Sequence, residues 1–269
     1  MTEAVLQISD LSAGYGQEQV LSQVSLTLHQ GEVLCVAGES GSGKSTLLQV
    51  ICGNHLPVSD ADRAGRASFL RIESGSVRFQ GEELTVTSPS QRRKRMGTQI
   101  GLIPQNPAGS FNPVRRLDAQ FRETLKSHGI AYDRGEIVRV FDSIGLSEPE
   151  KLLRCRPYEL SGGMNQRIAV AFAMLLAPTL LLCDEVTSAL DVTTAITVID
   201  ELLKLKRERN MTMLFVTHHL GIAREIADRI AIMHRGRIVE EGPAKELLAH
   251  PSHEYTGKLL RDVPRMAEM

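Results

Sequence analysis

The run Gly38 to Ser45, GESGSGKS, constrains this chain more than any other stretch. It fits the spacing G-x-x-x-x-G-K-[ST], a loop whose backbone N–H groups turn inward on the phosphate oxygens of a nucleotide. Gly41 and Gly43 let the backbone curl and leave no Cβ in the way of the phosphates. Lys44 can then reach the β/γ-phosphates as a point charge, and Ser45 can offer its hydroxyl to Mg²⁺. The flanks agree with the motif: Glu32 to Ala37, EVLCVA, reads as a buried strand, and Ser45 to Ile51, STLLQVI, reads as a helix. Strand, glycine loop and helix N-terminus together form an anion site in which the helix dipole adds to the amides.

The chain has 269 residues, 42% of them hydrophobic, enough for one large core or a core with a small satellite lobe. A single domain over 1–269 with subdomains is the expectation. Thirty-one basic against 32 acidic residues give a formal charge of −1, which offers no footprint for nucleic acid. The one dense basic patch, Gln91 to Arg95, reads as a solvated helix face. Met1-Thr2-Glu3 leads into an amphipathic strand rather than a basic n-region and apolar core, so the chain reads as cytoplasmic. The apolar stretch Ile168 to Cys183 falls short of the ~18–20 residues of a membrane span and is interrupted at Pro178-Thr179. It reads as a buried helix, a turn and a buried strand. Cys35, Cys52, Cys155 and Cys183 show no C-x-x-C spacing and read as small buried hydrophobes in a reducing compartment.

Taken in order, the N-terminal part alternates as a sheet does, with strands over Val5 to Ile8 and Val24 to Leu28. Between them, Gly14-Tyr15-Gly16 reads as a flexible loop carrying an aromatic. Asn54 to Ala67 is polar and irregular, Gly75 to Leu84 is a strand with a turn at Gln80-Gly81, and Ile100 to Pro104 is a short apolar strand. Leu117 to Ile144 has a polar-faced helical pattern, an insertion rather than a sheet crossover.

Tyr158 to Gly163, YELSGG, opens a helix that Ser161 can cap, a second anion site in the same chain. Thr179 to Cys183 is a strand ending in Asp184-Glu185. A carboxylate at the carboxyl end of a buried parallel strand stands where doubly wound sheets bind ligands. Asp184 there can hold Mg²⁺ through water, leaving Glu185 to orient or deprotonate an attacking water. Ile196, Ile199, Leu202 and Leu203 form the expected apolar stripe of the next helix, Met213 to Val216 is a buried strand ending in Thr217-His218-His219, and Ile230 to Glu240 is a hairpin turning at Arg235-Gly236.

Gly38 to Ser45, Gln105, Leu160-Ser161-Gly162-Gly163, Asp184-Glu185, Ser188 to Asp191 and His218 together resemble the ordered motif set of ABC-transporter ATPases, over about residues 5 to 260. The resemblance implies an α/β fold: a P-loop NTPase (RecA-like) core with an N-terminal antiparallel β subdomain and an inserted α-helical subdomain at about 106–165. It implies ATP and Mg²⁺ as ligands. Phosphate contacts fall to Gly38, Glu39, Ser40, Gly41, Ser42, Gly43, Lys44, Ser45 and Thr46, and adenine stacking to Tyr15. Mg²⁺ ligation falls to Ser45, Gln105 and Asp184, and catalysis to Glu185 as base with Gln105 and the switch histidine His218. Leu160, Ser161, Gly162, Gly163 and Gln166 match the signature that contacts ATP on the opposite subunit, and Asp191 the D-loop aspartate.

Two positions depart from the family pattern. Val186 stands where a proline usually follows the glutamate, and His219 where an acidic residue often follows the histidine. The Q-loop QNPAGSFNP from Gln105 and the segment His250 to Leu260, HPSHEYTGKLL, are similar to those of peptide and nickel importer ATPases. Many peptide members carry a further cysteine-rich extension that this chain lacks at Met269, which leans the reading towards nickel or a metal chelate. The implied partners are a second ABC ATPase subunit in a homo- or heterodimer, transmembrane permease subunits and, indirectly, a substrate-binding protein; the implied place is the cytoplasmic face of the membrane. Two other readings stay open: a soluble accessory ATPase of a metabolic complex such as phosphonate breakdown, and a structural nucleotide-binding subunit with little turnover.

Overall fold

The computed structural model describes residues 3–54 and 69–261. The segment Asn54 to Ala67 of the sequence reading therefore falls, beyond Asn54 itself, outside the described residues. The chain divides into two compact units, one formed by Met1–Arg95 with Thr212–Met269 and the other by Met96–Met211.

In the first unit, β1 (Ala4–Tyr15) and β2 (Glu18–His29) form an antiparallel hairpin, extended on the other side of β1 by β4 (Leu70–Phe79) and then β5 (Glu82–Glu83). The first strand is longer than the stretch Val5 to Ile8 that alternates cleanly. Its register slips between Ile8 and Leu11, around Asp10 at φ +48°, and such a bulge breaks the period-2 pattern without ending the strand. Tyr15 is consequently the last residue of β1, paired with Glu18 and Leu70, and not part of a flexible loop.

A second set of strands follows the order β10-β9-β3-β8. Here β3 (Val33–Ala37) runs parallel to both β8 (Thr212–Thr217) and β9 (Arg229–His234), and β10 (Arg237–Pro243) closes the set antiparallel to β9. Every residue of β3 and β8 is buried, as continuous apolar runs require when helices cover both faces of a parallel sheet. Among the described residues, the helices of this unit are α1 (Lys44–Cys52), α2 (Pro89–Arg95), α8 (Leu220–Ile226), α9 (Ala244–Ala249) and α10 (Glu254–Arg261).

The basic run on α2 is more than a solvated face. Arg92 is 4% exposed, and its guanidinium donates to the carbonyls of Val50 at 2.9 Å and Leu84 at 3.0 Å. The first of these lies in the last turn of α1, where carbonyls lack helical partners and a cation is favoured. Burial pushes the Arg92 guanidinium down to about 10, so it remains charged at neutral pH.

In the second unit, β6 (Ile100–Ile103) runs parallel to β7 (Leu180–Asp184). Its helices are α3 (Leu117–Ser127), α4 (Arg134–Ser143), α5 (Pro149–Leu152), α6 (Gly162–Leu176) and α7 (Val192–Arg209). The helical stretch read over Leu117 to Ile144 is thus two helices, the second capped by Asp133, which accepts from the amides of Gly135 and Glu136. Phe121 stacks on Phe172 at 3.7 Å and meets Phe141 edge-on at 5.5 Å, a core of the helical segment's own. The run Ile168 to Cys183 divides as expected into helix, turn and strand, the helix ending at Ala177 in the left-handed region just before Pro178. Among the described residues no helix is long and apolar enough to cross a membrane.

The expected stripe of α7 is partly wrong. Val198, Ile199 and Leu202 are buried, but Ile196 is 56% exposed. At ~100° per residue Ile196 lies roughly 160° round the helix from Val198, so a face centred on 198, 199 and 202 turns it outward.

Candidate functional site

The phosphate loop belongs to the first unit and links buried β3 to α1. Gly43, the N-cap of α1, adopts φ +108°, and a Cβ there would stand 2.9 Å from Leu21 Cδ2. A Cβ on Gly38 would come within 2.2 Å of the Met233 carbonyl oxygen, so the loop is pressed against β9 too closely for any side chain. The Ser42 amide donates to the Glu39 carbonyl at 3.2 Å, and the Ser42 carbonyl accepts from Gly236 at the tip of the β9–β10 hairpin at 2.9 Å.

Lys44 is only 5% exposed. Its Nζ donates to the carbonyls of Gly38 and Glu39, each at 2.7 Å, and to Ser42 Oγ at 3.3 Å. The ammonium is therefore held inside the loop, on acceptors that phosphate oxygens can replace. Glu39, Ser40, Gly41 and Ser45 are exposed, whereas Ser42, Gly43 and Thr46 are buried. No acidic side chain occupies the first turn of α1, so the helix start is left to an incoming anion. Tyr15 Oη donates to Gln49 Oε1 on α1 at 2.7 Å, which ties the aromatic to the helix that carries Lys44. His218 follows β8 and is exposed, its ring 4.0 Å from that of His219, while the His219 amide donates to Thr217 Oγ1 at 2.9 Å.

The remaining candidates lie in the second unit. Gln105 follows β6 and Glu185 follows β7, and Gln105 Nε2 donates to Glu185 Oε2 at 2.7 Å. Glu185 adopts φ +47°, a left-handed conformation that is uncommon for a residue with a long side chain and clusters at functional sites. Its carbonyl accepts from Ser188 at 2.9 Å, and the Val186 side chain is 3% exposed. Asp184, half-buried, ends β7. Burial pushes the Cys183 thiol up, with the Asp184 charge adding to it, and burial likewise raises Cys35 to about 12 against the opposing pull of Lys44. Both are inert buried thiols, as their place in core strands implied.

At the start of α6, Ser161 Oγ accepts from the Met164 amide at 3.2 Å. Ser161 and Gly162 are exposed, and a Cβ on Gly163 would stand 3.1 Å from the Ala189 carbonyl oxygen. Asp191 caps α7, accepting from the Thr194 amide at 3.0 Å and its hydroxyl at 2.7 Å, bonds that hold the carboxyl below its usual range. The signature turn and the loop before Asp191 are therefore neighbours. Gln166 does not share their exposed face: it is 0% exposed within α6, and among the described residues neither its Oε1 nor its Nε2 meets a partner. Gln166 thus stands on the buried side of α6, whereas Ser161 and Gly162 are exposed.

Asn165 was passed over in the sequence. It is 4% exposed, and its Nδ2 donates to the carbonyls of Pro157 at 3.1 Å, Ser161 at 3.2 Å and Leu160 at 3.4 Å, tying down the turn from within. The available signal was an amide side chain in the first turn of a helix whose later turns are apolar.

Comparison with known proteins agrees with this geometry. Residues 21–188 match the family model described as ABC transporter. Over 98% of its length the chain is 40% identical to the uncharacterized ABC transporter ATP-binding protein YejF of Escherichia coli (strain K12), of which it spans 49%, about half. It is 35% identical to the dipeptide transport ATP-binding protein DppD of Haemophilus influenzae, covering 98% of this chain and 79% of that one. It is 33% identical to the oligopeptide transport ATP-binding protein OppD of Lactococcus lactis subsp. cremoris, covering 98% and 77%. Among solved structures, the dimeric post-hydrolysis state of the ATP-binding cassette MJ0796 bound to ADP and Pi matches with a TM-score of 0.75 at 25% identity, covering 89% of this chain and 98% of that one. With a family model matched over more than half its length and relatives aligned almost end to end, the chain belongs to the ABC transporter family of ATP-binding proteins, whose cassettes are ATPases.

Proposed function

We propose that this chain is the ATP-hydrolysing subunit of an importer that takes up peptides, working as a peripheral subunit on the cytoplasmic face of the membrane. One observation carries the catalytic part: Gln105 holds the carboxylate of Glu185, a residue in a strained backbone conformation directly after a buried strand. That arrangement fits a general base with its orienting amide. In the reading proposed, Glu185 accepts the proton of the attacking water while the loop amides of Gly38 to Thr46 and the Lys44 ammonium offset charge on the transferring phosphoryl group. Tyr15 stacks on adenine, His218 serves as the switch histidine, and Asp191, which caps α7, is the D-loop aspartate.

The Ser45 hydroxyl, the Asp184 carboxylate and the Gln105 amide oxygen are hard oxygen donors of the kind Mg²⁺ takes. These residues would be the ones to hold the ion, and the chemistry it would supply is neutralisation of phosphate charge. The exposed turn Leu160 to Gly163 acts on the ATP of a second subunit, carried by the helical segment of about 106–165. Closure of such a dimer makes hydrolysis depend on assembly, and permease subunits read that closure. A substrate-binding protein takes part only through them.

Peptide is favoured over nickel as cargo because DppD and OppD, named for dipeptide and oligopeptide transport, align over 98% of the chain. The test is uptake in a host lacking the chain, complemented with the wild type or with Glu185→Gln. We expect labelled di- or oligopeptide uptake to be restored by the wild type only, with nickel uptake indifferent to both. Restoration of nickel uptake alone would reassign the cargo, and an effect on neither would replace the importer with a soluble ATPase.

A further inference from the structure

The segment His250 to Leu260 plays no part in the mechanism above, yet it reaches the phosphate loop. Tyr255, in the first turn of α10 and 8% exposed, accepts through Oη from the Glu39 amide at 3.1 Å. The other end of that peptide unit, the Gly38 carbonyl, accepts from Lys44 Nζ at 2.7 Å. A peptide unit is planar, with its N–H and C=O pointing opposite ways, so fixing the amide on Tyr255 fixes the carbonyl on Lys44.

The tyrosine is itself held. Its ring packs on His234 at 3.8 Å, in the strand whose Met233 carbonyl abuts Gly38. The Glu240 carboxylate of β10 accepts from the amides of Ser252 at 2.7 Å and His253 at 3.1 Å, and His253 Nδ1 accepts from the Tyr255 amide at 3.1 Å. Burial raises the pKa of the Tyr255 phenol, which keeps the hydroxyl neutral.

We propose that Tyr255 is a positioning residue for nucleotide binding: through the 38–39 peptide plane it sets the loop and Lys44 for a triphosphate, and the segment from Glu240 to Tyr255 is its buttress. The inference rests on the loop being the ATP site. It places residues 195 to 210 positions beyond Ser45 in control of affinity.

The test is calorimetric titration of the full chain with Mg·ATP, alongside thermal unfolding without nucleotide. Tyr255→Phe keeps the ring on His234 and deletes only the acceptor; the expected result is ATP binding weakened roughly three- to tenfold, the worth of one hydrogen bond. Glu240→Gln, which loosens the buttress, is expected to weaken binding in the same direction but less. A merely structural tyrosine would lower the nucleotide-free midpoint and leave the dissociation constant unmoved, and unmoved or tighter binding in both variants overturns the inference. Lys44→Ala separates the premise from the proposal. If it loses ATP while Tyr255→Phe and Glu240→Gln bind as the wild type does, only the role of Tyr255 falls; if Lys44→Ala binds as the wild type does, the nucleotide reading falls as well.

Discussion

The phosphate loop and the signature turn are both helix starts built from glycine and serine, and they are finished differently. In the loop, the Lys44 ammonium, the Ser42 carbonyl and the Glu39 amide all have partners inside their own unit, and Lys44 is 5% exposed. At the signature, Asn165 braces the turn from beneath while Ser161 and Gly162 remain exposed, and a Cβ on Gly162 would meet nothing within 4 Å. Both present exposed residues, Glu39 to Gly41 and Ser45 in the loop and Ser161 and Gly162 at the signature, but the loop also holds a buried ammonium. In the function proposed, the first region binds nucleotide and the second acts only on assembly.

The comparison breaks most sharply on two single substitutions. Glu185→Gln keeps the shape of the side chain and removes the base; turnover is expected to fall about 10²–10⁴-fold while ATP affinity is retained. Lys44→Ala removes charge-assisted hydrogen bonds of ~1.5–3 kcal/mol, and ATP affinity is expected to fall about ten- to a hundredfold. Steady-state turnover and calorimetry on both variants check this crossing, and a Glu185→Gln variant with wild-type turnover would remove the base from its assigned role.

Asn165→Ala sharpens the signature side. It removes the side-chain donor of three carbonyls, of which those of Pro157 and Ser161 keep backbone donors in the Leu160 and Asn165 amides, so a loss of about 1 kcal/mol in denaturant unfolding is expected. Hydrolysis should suffer more than ATP binding, since the loop lies in the other unit. Equal losses in both would count against the contrast drawn above.

The smallest effect belongs to Gln166. Its buried amide has no partner among the described residues, so Gln166→Met should be neutral or raise the unfolding midpoint by a few degrees. A marked fall in the midpoint would mean that the amide is hydrogen-bonded in solution.

Much of the site was legible because its signals are local. Gly38 to Thr46 follow from spacing and from an apolar run on the strand side, and Ser161 was recognised as a cap from its place before a helix. Gln105 and Glu185 were each named from motifs, but the 2.7 Å bond between them spans 80 positions and no period or propensity reports it. Patterns also failed where one residue broke the repeat. Asp10 ended the alternation of β1 early, and Val198 turned the buried face of α7 away from Ile196.

The sequence by itself determined the candidates for a triphosphate site, because amide geometry, glycine backbone freedom and one lysine operate within eight positions. It determined also the family, through the order of short motifs. Only the tertiary structure decided what holds those groups in place: Arg92 on the last turn of α1, Gln49 on Tyr15, Asn165 under the signature turn, and Tyr255 on the Glu39 amide. Each of these is a polar side chain buried or half-buried against backbone or another side chain, several of them far away in sequence. Whether such a group is a solvated surface residue or a structural tie depends on burial, and burial is set by packing of the whole unit rather than by neighbouring residues.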